Sequence, residues 1–186
     1  MKKIFIGGSR NISRLNEQIK ERLLNIINNN YFVLIGDANG ADRVVQQFLN
    51  DIKYENVLVH CSGVTCRNNV GNWETEKVEV SSKLNGIKYY MAKDKKMAEE
   101  AEYGFMLWDG KSAGTLNNIL NLLKENKKTL VYYSPLKQFF IISSLEDINS
   151  LISKCDQSFI DKIKKKINLN KSILEISGRQ QLQMGF

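Results

Sequence analysis

The 186-residue chain contains three cysteines, one histidine and one proline, and no apolar run in it approaches the length of a membrane span. The apolar runs at 3–6, 31–35 and 129–133 are far shorter than the roughly 20 residues a bilayer-crossing helix needs, so no transmembrane segment is expected. Cys61, Cys66 and Cys155 are odd in number and lack the spacing of a secreted disulfide framework, which predicts reduced thiols. His60-Cys61 with Cys66 offers only three candidate ligands, without the paired Cys or His of zinc sites, so no metal is expected, and no cofactor either. Met1-Lys2-Lys3 leads directly into a strand-like run, with no apolar h-region and cleavage site, and a cytoplasmic protein is expected. Internal repeats and low-complexity tracts are absent.

What is present is ordinary globular composition, 42% hydrophobic and 25% charged, in a chain long enough for one domain with a short appendage. The net charge is +7, and much of the excess sits at Lys162, Lys164, Lys165, Lys166 and Lys171. A run of that kind is ordinarily a solvated helix face. No motif of a common nucleic-acid module accompanies it, so nucleic acid is not the expected partner.

Short apolar runs alternate with segments of helical spacing, the pattern of βαβ units around a parallel sheet. The expected strands are 3–8, 31–36, 55–60, 86–91, 103–108 and 128–134. Helices are expected at 14–29 with Ser13 as cap, 40–51, 74–84, 94–102 with Asp94 as cap, and 113–126 capped by Ser112 or a neighbour. The glycine- and asparagine-rich stretch 61–73 has little periodicity and reads as an exposed loop of the kind that binds or covers ligands. Pro135 breaks the pattern. Beyond it an edge strand at 139–142, helices at 144–154 and 156–166 and a poorly patterned tail form a helical extension, 135–186, on a domain spanning 1–134.

Three loops that follow strands share one style of composition, and in a parallel sheet such loops emerge at one edge. Gly7-Gly8-Ser9-Arg10 combines a sharp turn, a hydroxyl and a guanidinium suited to phosphate. Gly36-Asp37-Ala38-Asn39-Gly40-Ala41-Asp42 runs into a helix whose N–H groups favour an anion, while its carboxylates suit ribose hydroxyls or the first helical turn. Trp108-Asp109-Gly110-Lys111-Ser112-Ala113-Gly114-Thr115 supplies backbone donors, hydroxyls and a lysine at a helix start, without the glycine spacing of a Walker A loop. Asp94 and Asp109, each expected at the carboxyl end of a strand, are the candidate catalytic groups. Trp73 could stack on a base or belong to the core.

These residues resemble the SLOG superfamily, the Rossmann-like group that includes LOG-type phosphoribohydrolases and the DNA-processing protein A family. The likeness spans roughly residues 1–134 and rests on Gly7-Gly8-Ser9-Arg10, Gly36-Asp37 to Gly40-Ala41-Asp42, Lys93-Asp94 with Met97, and Asp109-Gly110 to Gly114-Thr115. It implies a three-layer α/β/α fold with a mainly parallel sheet of order about 3-2-1-4-5-6, and a nucleotide-related ligand across the strand ends. The phosphoribohydrolases, however, follow their Gly-Thr with glutamates, where this chain has Asn117 and Asn118, and carry an arginine where it has Lys93. Nucleoside deoxyribosyltransferases also need a glutamate there. An amide cannot replace a carboxylate as nucleophile or base.

The expectation drawn from the sequence is therefore a binder of a nucleotide or nucleotide derivative, such as an ADP-ribose-like or cyclic nucleotide signal, with a hydrolase or transferase acting on an N-glycosidic or phosphate bond of a nucleotide as alternative and DNA binding as a weaker one. The ligand contacts expected are Gly7, Gly8, Ser9, Arg10, Gly36, Asp37, Gly40, Ala41, Asp42, Lys93, Asp109, Gly110, Lys111, Ser112, Gly114 and Thr115. Ile148, Leu151, Ile152, Ile173, Leu174 and Ile176 should cover the sheet edge or a partner subunit, and a homodimer is expected.

Overall fold

Strands buried on both faces must be apolar throughout, and the runs that meet this demand form the middle of the sheet. The computed structural model describes residues 1–79 and 87–184, with side chains described over 1–79 and 89–178. In chain order the elements are β1 (Lys3–Gly8), α1 (Glu17–Asn28), β2 (Phe32–Gly36), α2 (Ala41–Asp51), β3 (Val57–Ser62) and β4 (Glu74–Val78). There follow α3 (Ile87–Glu100), β5 (Tyr103–Trp108), α4 (Ala113–Lys124), β6 (Lys128–Tyr133), β7 (Gln138–Ile142), α5 (Leu145–Ile152), α6 (Gln157–Lys166) and α7 (Leu169–Met184).

They build one seven-stranded sheet of order β4-β3-β2-β1-β5-β6-β7, parallel except for the antiparallel β6–β7 pair. This is a Rossmann-like α/β fold, as expected. Side chains alternate between its faces. Ile4, Ile6, Val33, Ile35, Phe105 and Leu107 pack under α1 and α2, whereas Phe5, Leu34, Met106 and Trp108 pack under α3 and α4.

Three expected elements are corrected. Residues 87–91 of the expected strand 86–91 are the first turns of α3, and residues 74–78 of the expected helix 74–84 are the edge strand β4; residues 80–86 lie outside the described residues. The run Ile87-Lys88-Tyr89-Tyr90-Met91 has strand composition but sits in a helix, because a short apolar run cannot by itself distinguish the two states. Glu74-Thr75-Glu76-Lys77-Val78 hides its strand character behind charge, as edge strands commonly do. The helix expected to begin at Asp94 starts a full two turns earlier.

Smaller corrections concern caps, thiols and the extension. Asn16, not Ser13, caps α1, accepting the Ile19 N–H at 3.0 Å. Cys61 and Cys66 are joined as a disulfide rather than reduced, since the turn after β3 brings their Cα atoms to 5.1 Å, within bonding range. The tail is a helix, α7. Ile148, Leu151 and Ile176 are buried in the chain's own core, so most of the apolar surface that suggested a partner subunit is covered internally; Leu174 remains 72% exposed.

Among the described residues no helix is long and apolar enough to cross a membrane.

Candidate functional site

Because β1, β2, β3 and β5 run in parallel, the loops after them meet at one edge, and α3 crosses above it. A cleft of about 410 Å³ opens there. Of the expected ligand contacts it brings together Gly7, Gly8, Arg10, Asp42, Lys93, Lys111, Ser112, Gly114 and Thr115, with the candidate catalytic Asp94.

The other expected contacts, Ser9, Gly36, Asp37, Gly40, Ala41, Asp109 and Gly110, are not in its wall. They hold the loops in shape. Ser9 is wholly buried, donating its hydroxyl to Asp109 at 2.9 Å while standing 3.2 Å from the Thr115 hydroxyl. Asp109 also accepts the N–H groups of Lys111 and Ser112, at 3.0 and 2.9 Å, and the Asn11 amide at 2.9 Å. Burial alone would raise its pKa, but these donors outweigh burial and hold the carboxyl below its ordinary value. With both oxygens engaged, Asp109 is a strut of the loop. Gly40 sits at φ +82°, with the Arg10 backbone pressed against the position a Cβ would occupy. The Gly36 carbonyl accepts the Gln46 Nε2–H at 2.8 Å, and Ala41 is part of the core.

The α4 N-terminus forms one wall. Ser112 caps it, accepting the Thr115 N–H at 3.3 Å, and the first two helical residues, Ala113 and Gly114, line the cleft. Helix N–H groups at those positions have no partner within their own helix. A Cβ on Gly114 would meet nothing closer than Ser112 Oγ at 4.0 Å, so this backbone is open to a ligand.

Opposite stands a face of α3. Tyr90, Lys93, Asp94 and Met97 recur at helical spacing and all line the cleft. Two guanidinium groups lie over the Tyr90 ring, Arg67 at 4.1 Å and Arg10 at 5.5 Å from its centroid. Asp37, buried beneath, accepts Arg67 Nε at 3.1 Å, Nη2 at 2.6 Å and the Arg67 N–H at 3.0 Å. Burial opposes ionisation of Asp37, but Arg67 and then Lys93 hold it below the ordinary carboxylate value.

The floor is a buried charge cluster. Lys93 pairs with Asp94 at 2.8 Å and lies 3.9 Å from Asp37. Burial would depress this ammonium, yet the surrounding Asp94, Asp42 and Asp37 raise it above its usual value. Asp42 accepts the Ala38 N–H at 3.2 Å. Burial, reinforced by Asp94 and Asp37 against the pull of Lys93, pushes its pKa up to about 6. The Asn118 amide, oriented to satisfy its neighbours, donates to Asp94 at 3.2 Å and to the Gly114 carbonyl at 3.1 Å. Asn117, buried alongside, is not in the cleft wall.

Residues beyond the expected set complete the site: Asn11, Arg67, Tyr90 and Lys166. Arg67 comes from the 61–73 loop already expected to bind or cover a ligand, and Lys166 from the lysine run assigned to a solvated face. Trp73 is taken up by structure, its Nε1–H donated to the Tyr54 carbonyl at 2.8 Å and its ring against the α1–α2 side of the core.

No family model matches this chain, and no curated protein does. A solved structure of DNA processing protein A from Helicobacter pylori, described for its single-stranded DNA binding mode, is similar in fold. The TM-score is 0.56 at 16% identity, over 89% of this chain and 81% of that one. The relation to the DNA-processing fold is thus a coarse one, and nothing in it bears on LOG-type chemistry. It corrects the expectation of a free nucleotide as ligand with nucleic acid set aside, because the similar protein binds single-stranded DNA. The lysine run expected to be a solvated helix face also contributes to the site, where Lys166 and Lys111 share the cleft wall.

Proposed function

We propose that this chain binds single-stranded DNA along the carboxyl edge of its sheet. The observation that carries the reading is a rim of three cations, Arg10, Lys111 and Lys166, none of which has a carboxylate partner among the described residues. Lys93 and Arg67, by contrast, are already paired. Cations without a carboxylate partner beside an aromatic ring and a helix N-terminus suit a charged backbone with accessible bases. Tyr90 offers the ring, α4 the donors. The fold shared with a protein that binds single-stranded DNA supports the same reading. In it, residues 1–134 form a SLOG-like binding domain, and the 135–186 extension lends Lys166 to the rim.

The test is fluorescence anisotropy with a labelled oligothymidine across a salt series, alongside a duplex of equal length. Replacing Arg10, Lys111 and Lys166 together with Ala should flatten the slope of log K against log salt by about 2, at roughly 0.7 for each phosphate deprived of its cation. Gly114→Val should block close approach to α4 and weaken binding without unfolding, since its side chain would enter open space. Single strands should bind more tightly than duplex, because a paired base cannot stack on Tyr90. The reading fails if the parent shows no single-strand binding at low salt, or if folded variants bind with unchanged affinity and slope.

A further inference from the structure

The single histidine of the chain lies away from the rim cations, on β3 beneath α3. His60 is fully buried, and among the described residues neither ring nitrogen has a hydrogen-bond partner. A buried imidazole ordinarily has at least one nitrogen satisfied.

Two carboxylates stand at that ring. Glu76, on the neighbouring β4, is paired in register with His60 and places Oε2 3.3 Å from Nε2, without hydrogen-bond geometry. Glu100 closes α3, and one ligand atom from each of His60, Glu76 and Glu100 falls within 4.8 Å of the others. Two ligand atoms bound tetrahedrally at 2.0–2.1 Å stand roughly 3.3 Å apart. The His60–Glu76 pair already has that separation.

Lysines orient both carboxylates, and Glu76 keeps one oxygen clear of them. Lys96 donates to Glu76 Oε1, leaving Oε2 toward the imidazole. Lys3 holds Glu100 Oε2 at 3.4 Å, and Lys96 lies 4.0 Å from Oε1. Outer partners of this kind fix ligand carboxylates in place at metal sites. The ring is buried and the two glutamates are partly exposed, so an ion would enter from the glutamate side.

We propose that His60, Glu76 and Glu100 form a site for a divalent transition-metal ion of the zinc class, with water completing the coordination. One imidazole with two carboxylates favours zinc, cobalt or manganese over calcium and magnesium, which take oxygen ligands alone. The ion would pin the edge strand β4 and the end of α3 to β3. This set differs from His60 with Cys61 and Cys66, whose sulfurs are joined to each other. It also stands independently of the DNA-binding reading.

The full chain, stripped with EDTA, is titrated with Zn²⁺ against a chromophoric chelator and with Co²⁺ by visible absorption, and its melting is followed with and without Zn²⁺. One saturable Zn²⁺ per chain is expected, with an upward shift in Tm and a Co²⁺ spectrum free of thiolate charge transfer. Glu76→Gln and His60→Asn should each weaken Zn²⁺ binding at least about tenfold and abolish the Tm shift. Should His60→Asn fail to fold, Glu76→Gln and Glu100→Gln, on partly exposed positions, decide alone. The proposal is overturned if micromolar Zn²⁺ does not bind, if the folded variants bind as the parent does, or if Co²⁺ shows thiolate ligation.

Discussion

Replacing Asp42 with Asn tests the electrostatics of the cleft floor through stability and binding at once. The folded-state pKa of Asp42 is raised from 3.8 to about 6, so between those values the native protein holds a proton that the unfolded chain has released. Stability must then fall as pH rises through this window: the contribution of the neutral carboxyl is complete below 3.8 and lost above about 6. The whole shift corresponds to about 3 kcal/mol, and between pH 4.5 and 7.5 it amounts to roughly 2 kcal/mol. Asn keeps an acceptor for the Ala38 N–H and cannot ionise. Its loss of favourable charge in the first turn of α2 takes back about 0.3–1 kcal/mol, mostly above the carboxyl pKa. Urea unfolding of both proteins across that range should show Asp42→Asn gaining on the parent by about 1–2 kcal/mol as pH rises. Single-strand affinity should follow, increasing in the parent as pH drops through 6, and already high and flatter in the variant. A stability difference independent of pH, or one growing in the acid direction, would refute the assignment of a strained carboxylate to this floor.

Two further substitutions separate recognition from folding. Tyr90→Ala should weaken oligothymidine binding by about 1–3 kcal/mol in anisotropy titrations, whereas Tyr90→Phe, which keeps the stacking face, should cost little. Trp73→Phe should lower urea stability by about 1–2 kcal/mol by orphaning the Tyr54 carbonyl and thinning the core, and leave DNA affinity unchanged, which the same two assays check.

The middle of the sheet was legible because each of its strands must be apolar on both faces, and β1, β2, β5 and β6 are therefore continuous apolar runs. The edges were not. β4 pairs with β3 on one side only, so it needs few apolar residues and reads as a charged segment. The Cys61–Cys66 pairing likewise depends on a turn whose Cα separation no spacing rule reveals.

The site was legible where one loop carries the chemistry and illegible where two distant segments share it. Gly114 and Arg10 were visible because glycine at a helix start and arginine after a Gly-Gly turn have meaning on their own. Tyr90 was not, because a strand at 86–91 would place it beside Tyr89 on the opposite sheet face rather than in line with Lys93, Asp94 and Met97. Those four residues fall at i, i+3, i+4 and i+7, one stripe of a helix. The helical period was thus available in the sequence but was outweighed by aromatic and β-branched composition, which argues for strand only when the pattern also alternates. Reading the stripe first turns α3 from a sheet element into the wall that faces α4 across the cleft, and it is this change that brings Tyr90 under Arg10 and Arg67.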